Sequence, residues 1–240
     1  MTLSYSRSRT YLAGTCLALL FAASAGCGLI SSDVADFDLT LPDKSFSIDT
    51  EGWQVDQAQA QALFNTPCGT APSICDTAAQ MACDMNCSGT CTANRCELQL
   101  DVGLYREVNL VQEKPELKSI NDQPVIKVTI DSVSYQVTAN TLNVETPELK
   151  LYVAPMSVMD PKSPEAMEIA IIPPIGAGAV VPLTPVMFNA GGRERLISMM
   201  STYKTPFNVI VGSTLTVSGG EPIPEGKLDA IVRIRAHAGL

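Results

Sequence analysis

The chain has 240 residues, of which 46% are hydrophobic and 17% charged, and its 16 basic and 25 acidic residues give a formal net charge of −9. A charged fraction below the usual value of about 25%, with an ample apolar fraction, excludes an intrinsically disordered chain. The acidic balance argues against nucleic-acid binding, and the single histidine argues against zinc catalysis and Ser-His-Asp chemistry. We therefore expect no catalytic residue, no cofactor, no metal and no nucleic-acid partner.

The N-terminus has the pattern of an export signal. Arg7 and Arg9 precede an apolar run over residues 12–25, which leads through small residues to Cys27. A short basic region, an apolar region too short to span a membrane and small residues before a cleavage point are typical of a secretory signal peptide. We predict that residues 1–26 are a signal peptide that is removed.

The predicted cleavage point, Ser24-Ala25-Gly26-Cys27, resembles the lipobox of bacterial lipoproteins. In that family the signal is cut before the cysteine, which then carries a diacylglycerol on sulfur and a fatty acid such as palmitate on nitrogen. The resemblance implies lipid attachment at Cys27, a tether over residues 27–36 and a membrane partner. Ser24 stands where the family prefers leucine, and ordinary secretion after cleavage behind Ala25 is the alternative. Gly28, where an aspartate would mark inner-membrane retention, implies the outer membrane.

Six cysteines lie in one small and polar segment, residues 67–97, which has too few large apolar side chains for a core of its own. Outside the cytoplasm this pattern predicts three disulfides, with fifteen pairings open. The number of cysteines also favours lipidation. Of the eight, Cys16 is removed with the signal, and if Cys27 carries lipid, six cysteines remain to form disulfides. Zinc bound by the last four cysteines of the segment is the alternative. The six are Cys68, Cys75, Cys83, Cys87, Cys91 and Cys96.

Most of the remaining chain shows period-two alternation, which is typical of strands with one buried face. Two helices are predicted as well, one over residues 56–65 and one over residues 193–203. In the second helix, Leu196, Met199, Met200 and Tyr203 form an apolar stripe, which favours packing against a sheet over a binding groove. The alternating runs cover residues 37–41, 46–48, 98–104, 126–137, 149–153, 169–171, 207–217 and 228–234.

This pattern predicts a mainly β protein: an antiparallel Ig-like β-sandwich with a small disulfide-stapled segment and one or two short helices. We place the sandwich domain at residues 98–240 and expect the strands and helix of residues 37–66 to belong to it. The order of elements after residue 98 resembles Ig-like sandwiches of the LEA (water-stress) type. The layout as a whole resembles uncharacterised cysteine-containing lipoproteins of myxobacteria and related bacteria, which implies no particular activity.

Four weak motifs favour structural interpretations. The stretch 84–89 matches the opening of an EF-hand loop, but Arg95 stands where the twelfth position needs glutamate. Residues 176–178 begin a dinucleotide-binding loop that lacks its third glycine. Residues 189–192 precede a predicted helix and could bind an anion, although a capped turn is favoured. His237, near the C-terminus, is expected to lie in a loose tail.

Three functions are compatible with these patterns. The one we expect is a non-catalytic, membrane-anchored envelope lipoprotein whose sandwich binds an envelope protein or has a structural role. The alternatives are a LEA-like ligand or stress module and an envelope hydrolase that uses carboxylates. A flat exposed apolar patch would favour the first, an apolar cleft between the sheets the second, and a deep pocket with convergent carboxylates the third.

Overall fold

Two antiparallel sheets packed face to face form the body of the protein. The computed structural model describes residues 37–69, 71–83, 86–120 and 125–239, so the predicted signal peptide, the tether and Cys27 lie outside the described residues. The strands are β1 (Phe37–Asp38), β2 (Lys44–Asp49), β3 (Cys87–Thr92), β4 (Arg95–Val108), β5 (Lys127–Asn140), β6 (Leu149–Pro155), β7 (Met167–Ile172), β8 (Val181–Pro185), β9 (Met187–Phe188), β10 (Phe207–Val217) and β11 (Lys227–Gly239).

Strand β11 organises the first sheet. It pairs with β5 along one side and with β1 and β2 along the other, and β8 lies beyond β5. The second sheet has the order β3-β4-β10-β6-β7-β9. All of these described pairs are antiparallel, so the predicted fold class, a mainly β sandwich, is confirmed.

The main core lies between the sheets and follows the alternation of the sequence. In β4, for example, Cys96, Leu98 and Leu100 are buried while the residues between them are half-buried. Strand β7 departs from this pattern, because Ile169, Ala170 and Ile172 are all buried. The pairing of β7 with β6 shifts its register within the strand. A bulge of this kind moves side chains to the other face and explains why simple alternation fails there.

The described helices are α1 (Gln57–Phe64), α2 (Ser73–Ala82), α3 (Leu110–Glu113) and α4 (Gly192–Ser201), with 3₁₀ turns at Thr50–Trp53 and Pro115–Ile120. Helices α1 and α4 confirm the predictions at residues 56–65 and 193–203, and Leu196 and Met200 of α4 are fully buried in the core. Helix α2 is not among the predicted helices, because the stripe that it buries consists of the small side chains Cys75, Ala79 and Ala82. Within the described part of the chain, no helix is long and apolar enough to cross a membrane.

The N-terminal segment is held along the edge of β11. Strand β1 pairs with the end of β11 and β2 with its start. Between them, the N–H groups of Leu39 and Leu41 donate to carbonyls of β11 at 2.8 and 3.0 Å. Asp43 then accepts two hydrogen bonds from the guanidinium of Arg233, each of 2.7 Å. The first described residues are therefore part of the sheet.

The β6–β7 loop, residues 156–166, folds back over the outer face of the second sheet. Its Val158 packs with Ala154 and Ile210 in a small apolar cluster apart from the main core. Asn208, only 1% exposed, donates from Nδ2 to two carbonyls of the loop at 3.0 and 2.8 Å. The first half of β10, residues 207–212, is thus buried on both faces, which explains why its apolar residues do not alternate with polar ones.

Pro161 of the β6–β7 loop lies over two glycines that face each other across the second sheet, Gly212 of β10 and Gly103 of β4. A Cβ at Gly212 would lie 2.4 Å from Cβ of Pro161, and one at Gly103 would lie 3.2 Å from its Cδ. The loop can approach the sheet this closely because neither position carries a side chain.

We expect Gly212→Ala to lower the free energy of unfolding by about 1–3 kcal/mol, since the added methyl group forces the loop away from the sheet. Urea unfolding of the purified protein measures the effect. Gly52→Ala is the matched control, because a Cβ at Gly52 meets nothing within 4 Å. Equal losses in the two variants would contradict the close contact at Pro161.

The ion pair on β11 predicts a pH dependence. The hydrogen bonds from Arg233 hold the pKa of Asp43 below its ordinary value of 3.8. A carboxyl whose pKa is lower in the folded state stabilises the protein above its unfolded-state pKa and loses that contribution as the pH falls through the folded-state pKa. We expect Asp43→Asn to lower the urea midpoint slightly at neutral pH and to match the wild type once both are measured below the folded-state pKa. A difference that is independent of pH would contradict this interpretation.

Candidate functional site

Three disulfides hold the segment of residues 67–97 together. They join Cys68 to Cys91, Cys75 to Cys96 and Cys83 to Cys87, with Cα–Cα distances of 5.8, 5.2 and 6.5 Å. The predicted disulfides are confirmed, and the structure selects one of the fifteen possible pairings. The first two bonds tie the chain around the start of α2 to the hairpin of β3 and β4. The third closes the short connection between α2 and β3.

Helix α2 lies directly on β3, with backbone against backbone. A Cβ at Gly89 would be only 2.0 Å from the carbonyl oxygen of Cys75. The N–H of Gly89 also donates to Oδ1 of Asp76 at 3.1 Å. The buried side chains of α2 are small, those of Cys75, Ala79 and Ala82. Close approach at a glycine therefore takes the place of large interlocking side chains in this contact.

The β3–β4 turn positions Cys68 beside Cys91. Its two central residues, Ala93 and Asn94, have φ values of 49° and 65°, as a two-residue type I′ hairpin requires. Oδ1 of Asn94 accepts a hydrogen bond from the N–H of Gly69 at 2.6 Å, and its carbonyl accepts one from Cys68 at 3.4 Å. The turn thus anchors the chain that leads into α2.

The sulfur atoms of Cys68, Cys75 and Cys96 lie within 4.8 Å of one another. All three are disulfide-bonded, whereas a zinc site needs thiolates. The zinc alternative from the sequence used the last four cysteines, and the structure brings a different set together. In the EF-hand-like stretch 84–89, the first two residues lie outside the described part of the chain, and Gly89 contacts α2.

A polar groove of about 410 Å³ opens beside the stapled segment. It lies between the end of α1, the start of β4 and the turn from β10 to β11. Oε1 of Glu97 in this groove accepts a hydrogen bond from the hydroxyl of Ser218 at 3.1 Å. The groove is shallow and bears hydrogen-bonding groups, a surface suited to a polar partner. Its lining includes Gln61, Asn65, Thr92, Arg95, Glu97, Ser218 and Gly219.

A second groove, of about 370 Å³, follows the β6–β7 loop. Along it, Asp101 accepts from the ammonium of Lys162 and from the hydroxyl of Thr214 at 2.5 and 2.7 Å. Glu168, beside the groove, pairs with Lys150 at 3.1 Å and raises the pKa of that lysine. Both carboxylates are therefore engaged with partners of the protein itself.

Two tyrosines line partly enclosed parts of the molecule, the second groove and the space between the sheets. Burial raises the pKa of Tyr152 in the second groove and of Tyr135 between the sheets. The space that Tyr135 lines is wholly apolar and measures about 20 Å³. That volume holds about one water molecule. A hydrophobic ligand could enter there only if the sheets moved apart.

His237 lies within β11, so the expectation of a loose tail is wrong. Its backbone is opposite Thr129 of β5 and Asp38 of β1, and the pairing with β5 continues to Gly239. Its Nδ1 is 2.9 Å from Oδ1 of Asp131, and both side chains are about half exposed. The C-terminal residues escaped recognition as strand because the alternation weakens into small side chains after Ile234.

The two glycine motifs lie in turns held by asparagine side chains. Nδ2 of Asn140 donates to the carbonyls of Gly176 and Ala179 at 3.0 and 2.9 Å. Nδ2 of Asn189 donates to Oε1 of Glu168 at 3.1 Å, just before α4 begins. These contacts account for both motifs as elements of the fold.

Sequence reasoning missed the residues that shape the stapled segment, above all Gly89 and Asn94. One signal was present: a two-residue Ala-Asn turn between Cys91 and Cys96 is compatible with a hairpin. The contact at Gly89 has no local signal, because it depends on where α2 lies. Comparisons with protein-family models, with curated proteins and with solved structures found no match to the chain.

The two turn residues predict stability changes of opposite sign. We expect Asn94→Ala to lower the free energy of unfolding by about 1–2 kcal/mol, because alanine tolerates positive φ poorly and the bond to Gly69 is lost. Ala93→Gly should raise it by up to about 1 kcal/mol, because glycine adopts positive φ without strain. Urea unfolding of the oxidised variants measures both. Changes of the same sign would contradict the type I′ geometry.

Proposed function

We propose that the chain is a lipoprotein of the cell envelope, anchored through lipid on Cys27 after removal of residues 1–26. Its β-sandwich acts as a non-catalytic module that binds an envelope protein or has a structural role. Gly28, in place of the aspartate that marks inner-membrane retention in the lipoproteins that the signal resembles, supports a location at the outer membrane. The lipobox resemblance at residues 24–27 and the apolar run before it support the anchor.

The pairing of the described cysteines is the observation that carries this proposal. All six bond to one another, so none of them is left to bond Cys27. A free thiol on the mature N-terminus would be exposed to oxidation in the compartment that favours disulfides. Acylation of Cys27 removes that thiol, so lipidation and the disulfide pattern are consistent with each other.

Acylation of Cys27 by the lipoprotein pattern would anchor the chain firmly. Each buried CH₂ contributes about 0.8 kcal/mol, so one acyl chain binds a membrane only marginally, whereas the diacylglycerol and the further fatty acid together make the anchor stable. The tether of residues 28–36 would extend at most about 30 Å. Because the N-terminal segment is already part of the first sheet at β1, the sandwich would remain close to the membrane surface.

The engaged carboxylates support a non-catalytic role. Asp101, Glu168 and Glu97 each accept hydrogen bonds from cations or polar side chains nearby. Groups held in this way stabilise the fold, whereas a catalytic acid or base must be able to reach a substrate. The two polar grooves remain as surfaces for a partner.

Labelling with a fatty-acid analogue tests the anchor. We expect label on the wild type and on Cys16→Ser, whose cysteine is discarded with the signal, and complete loss of label in Cys27→Ser. Cell fractionation should then move Cys27→Ser out of the membrane pellet. Mass spectrometry of the mature wild-type N-terminus should give an acylated Cys27. An unmodified N-terminus at Gly26 would reject the proposal in favour of ordinary secretion.

A further inference from the structure

Two disulfides of the stapled segment are packed against each other and differ in exposure. The sulfur atoms of Cys68, Cys75 and Cys96 lie within 4.8 Å of one another, although Cys68 is bonded to Cys91 and Cys75 to Cys96. Three of the four residues are buried, with exposures of 2%, 0% and 1% for Cys68, Cys75 and Cys96. Cys91 is the half-buried member. A thiol from solution can therefore approach this group of sulfurs at Cys91.

The same backbone also permits a second pairing of these four cysteines. Cys91 and Cys96 stand directly opposite each other in the β3–β4 ladder. Opposite residues of antiparallel strands have Cβ atoms about 4.5–5.5 Å apart and side chains on one face, close to the separation that a disulfide spans. Cys68 and Cys75 already have neighbouring sulfur atoms. The pairs Cys68–Cys75 and Cys91–Cys96 thus join cysteines that the fold already brings close together.

We infer that Cys91 is a thiol-exchange site, through which a small thiol such as glutathione converts the crossed pairing (68–91 and 75–96) into a local pairing (68–75 and 91–96). The inference concerns the four sulfurs alone and does not depend on lipid at Cys27. Thiol–disulfide exchange requires a thiolate close to a disulfide sulfur, and the sulfur atoms of Cys68, Cys75 and Cys96 lie within 4.8 Å of one another.

The exchange conserves every bond. The thiolate of glutathione attacks Sγ of Cys91, a mixed disulfide forms, and Cys68 leaves as a thiolate with the bonding electron pair. Cys68 then attacks Sγ of Cys75, forming the 68–75 bond and expelling Cys96 as a thiolate. Cys96 finally attacks Sγ of Cys91, forming the 91–96 bond and releasing the glutathione thiolate. No net oxidation or reduction occurs, and the thiol acts as a catalyst.

The two pairings have different structural effects. In the crossed pairing the chain around the start of α2 is covalently tied to the β3–β4 hairpin. In the local pairing, Cys68–Cys75 closes a loop at the start of α2 and Cys91–Cys96 joins β3 to β4, so only Cys83–Cys87 still links α2 to the hairpin. Helix α2 and the chain before it would otherwise be held to the hairpin by packing at Gly89 and by the hydrogen bonds of Asn94. Exchange at Cys91 is therefore a switch between a tied and a released start of α2.

Peptide mapping of the purified mature protein distinguishes the pairings. Cleavage before Asp56, Asp76, Asp84 and Asp101 and after Arg95 puts Cys68 and Cys75 on one peptide, Cys91 on a second and Cys96 on a third. Crossed pairing links these three peptides, and Cys83–Cys87 attaches peptide 76–83 to the same product. Local pairing releases peptide 56–75 alone, lighter than its reduced form by two hydrogen atoms. We expect this released peptide to appear with time in glutathione and to be absent from the sample without thiol.

Single-cysteine variants test the internal step separately. In Cys91→Ser the orphaned thiol of Cys68 can attack the neighbouring disulfide, so we expect alkylation after acid quenching and denaturation to label Cys96 as well as Cys68. In the matched control, Cys87→Ser, label should be confined to Cys83. Label confined to Cys68 in the first variant would overturn the inference. So would a wild-type protein that carries glutathione on Cys91 but never releases peptide 56–75.

Discussion

The pairing of the first strands with the last strand, β11, is the interaction on which the first sheet depends. Strand β11 would otherwise present a long row of unpaired N–H and C=O groups at the edge of the sheet. Strands β1 and β2 satisfy that edge and bring Leu39, Leu41, Phe46 and Ile48 into the core, all at 6% exposure or less. The first described residues, 37–49, therefore form one side of the core.

The stapled segment is continuous with the second sheet. Strand β4 begins in the disulfide hairpin and runs on into the core over 14 residues. Cys96, Leu98 and Leu100 are buried on the same face of this strand. The disulfide at Cys96 thus extends a row of apolar side chains, and it does so where the segment has too little apolar surface of its own. At this end of the sandwich, small buried side chains, the close contact of α2 with β3 and three disulfides hold the elements together in place of large apolar side chains.

Much of the fold could be predicted from local patterns, since a half-buried strand must alternate and an amphipathic helix must repeat. These patterns explain why the predicted runs at residues 98–104, 228–234 and 193–203 correspond to β4, β11 and α4. Helix α2 and strand β3 bury no large apolar side chain, and disulfides whose pairing depends on distant positions stabilise them. Strand β8 has two prolines among its five residues and does not alternate. Its identity depends on pairing with β5.

The candidate site was predictable in composition but not in arrangement. Clustered cysteines in an exported chain indicate disulfides, yet no local rule pairs Cys68 with Cys91 across α2. The glycines at 103 and 212 are a second example, because the sequence does not show that Pro161 packs over both positions. Contacts between residues far apart in sequence are set by the whole fold.

The course of the N-terminal segment along β11 has a mechanical consequence. Hydrogen bonds of an antiparallel ladder lie across the strands. A pull on Phe37 along the strand axis would load the row from Asp38 to Asp49 together, whereas a pull across the sheet would open the bonds one after another from the end. The N-terminal segment would therefore resist lengthwise shear far better than peeling. The bidentate contact of Asp43 with Arg233 lies midway along that row, so peeling from the end would also have to break these two hydrogen bonds.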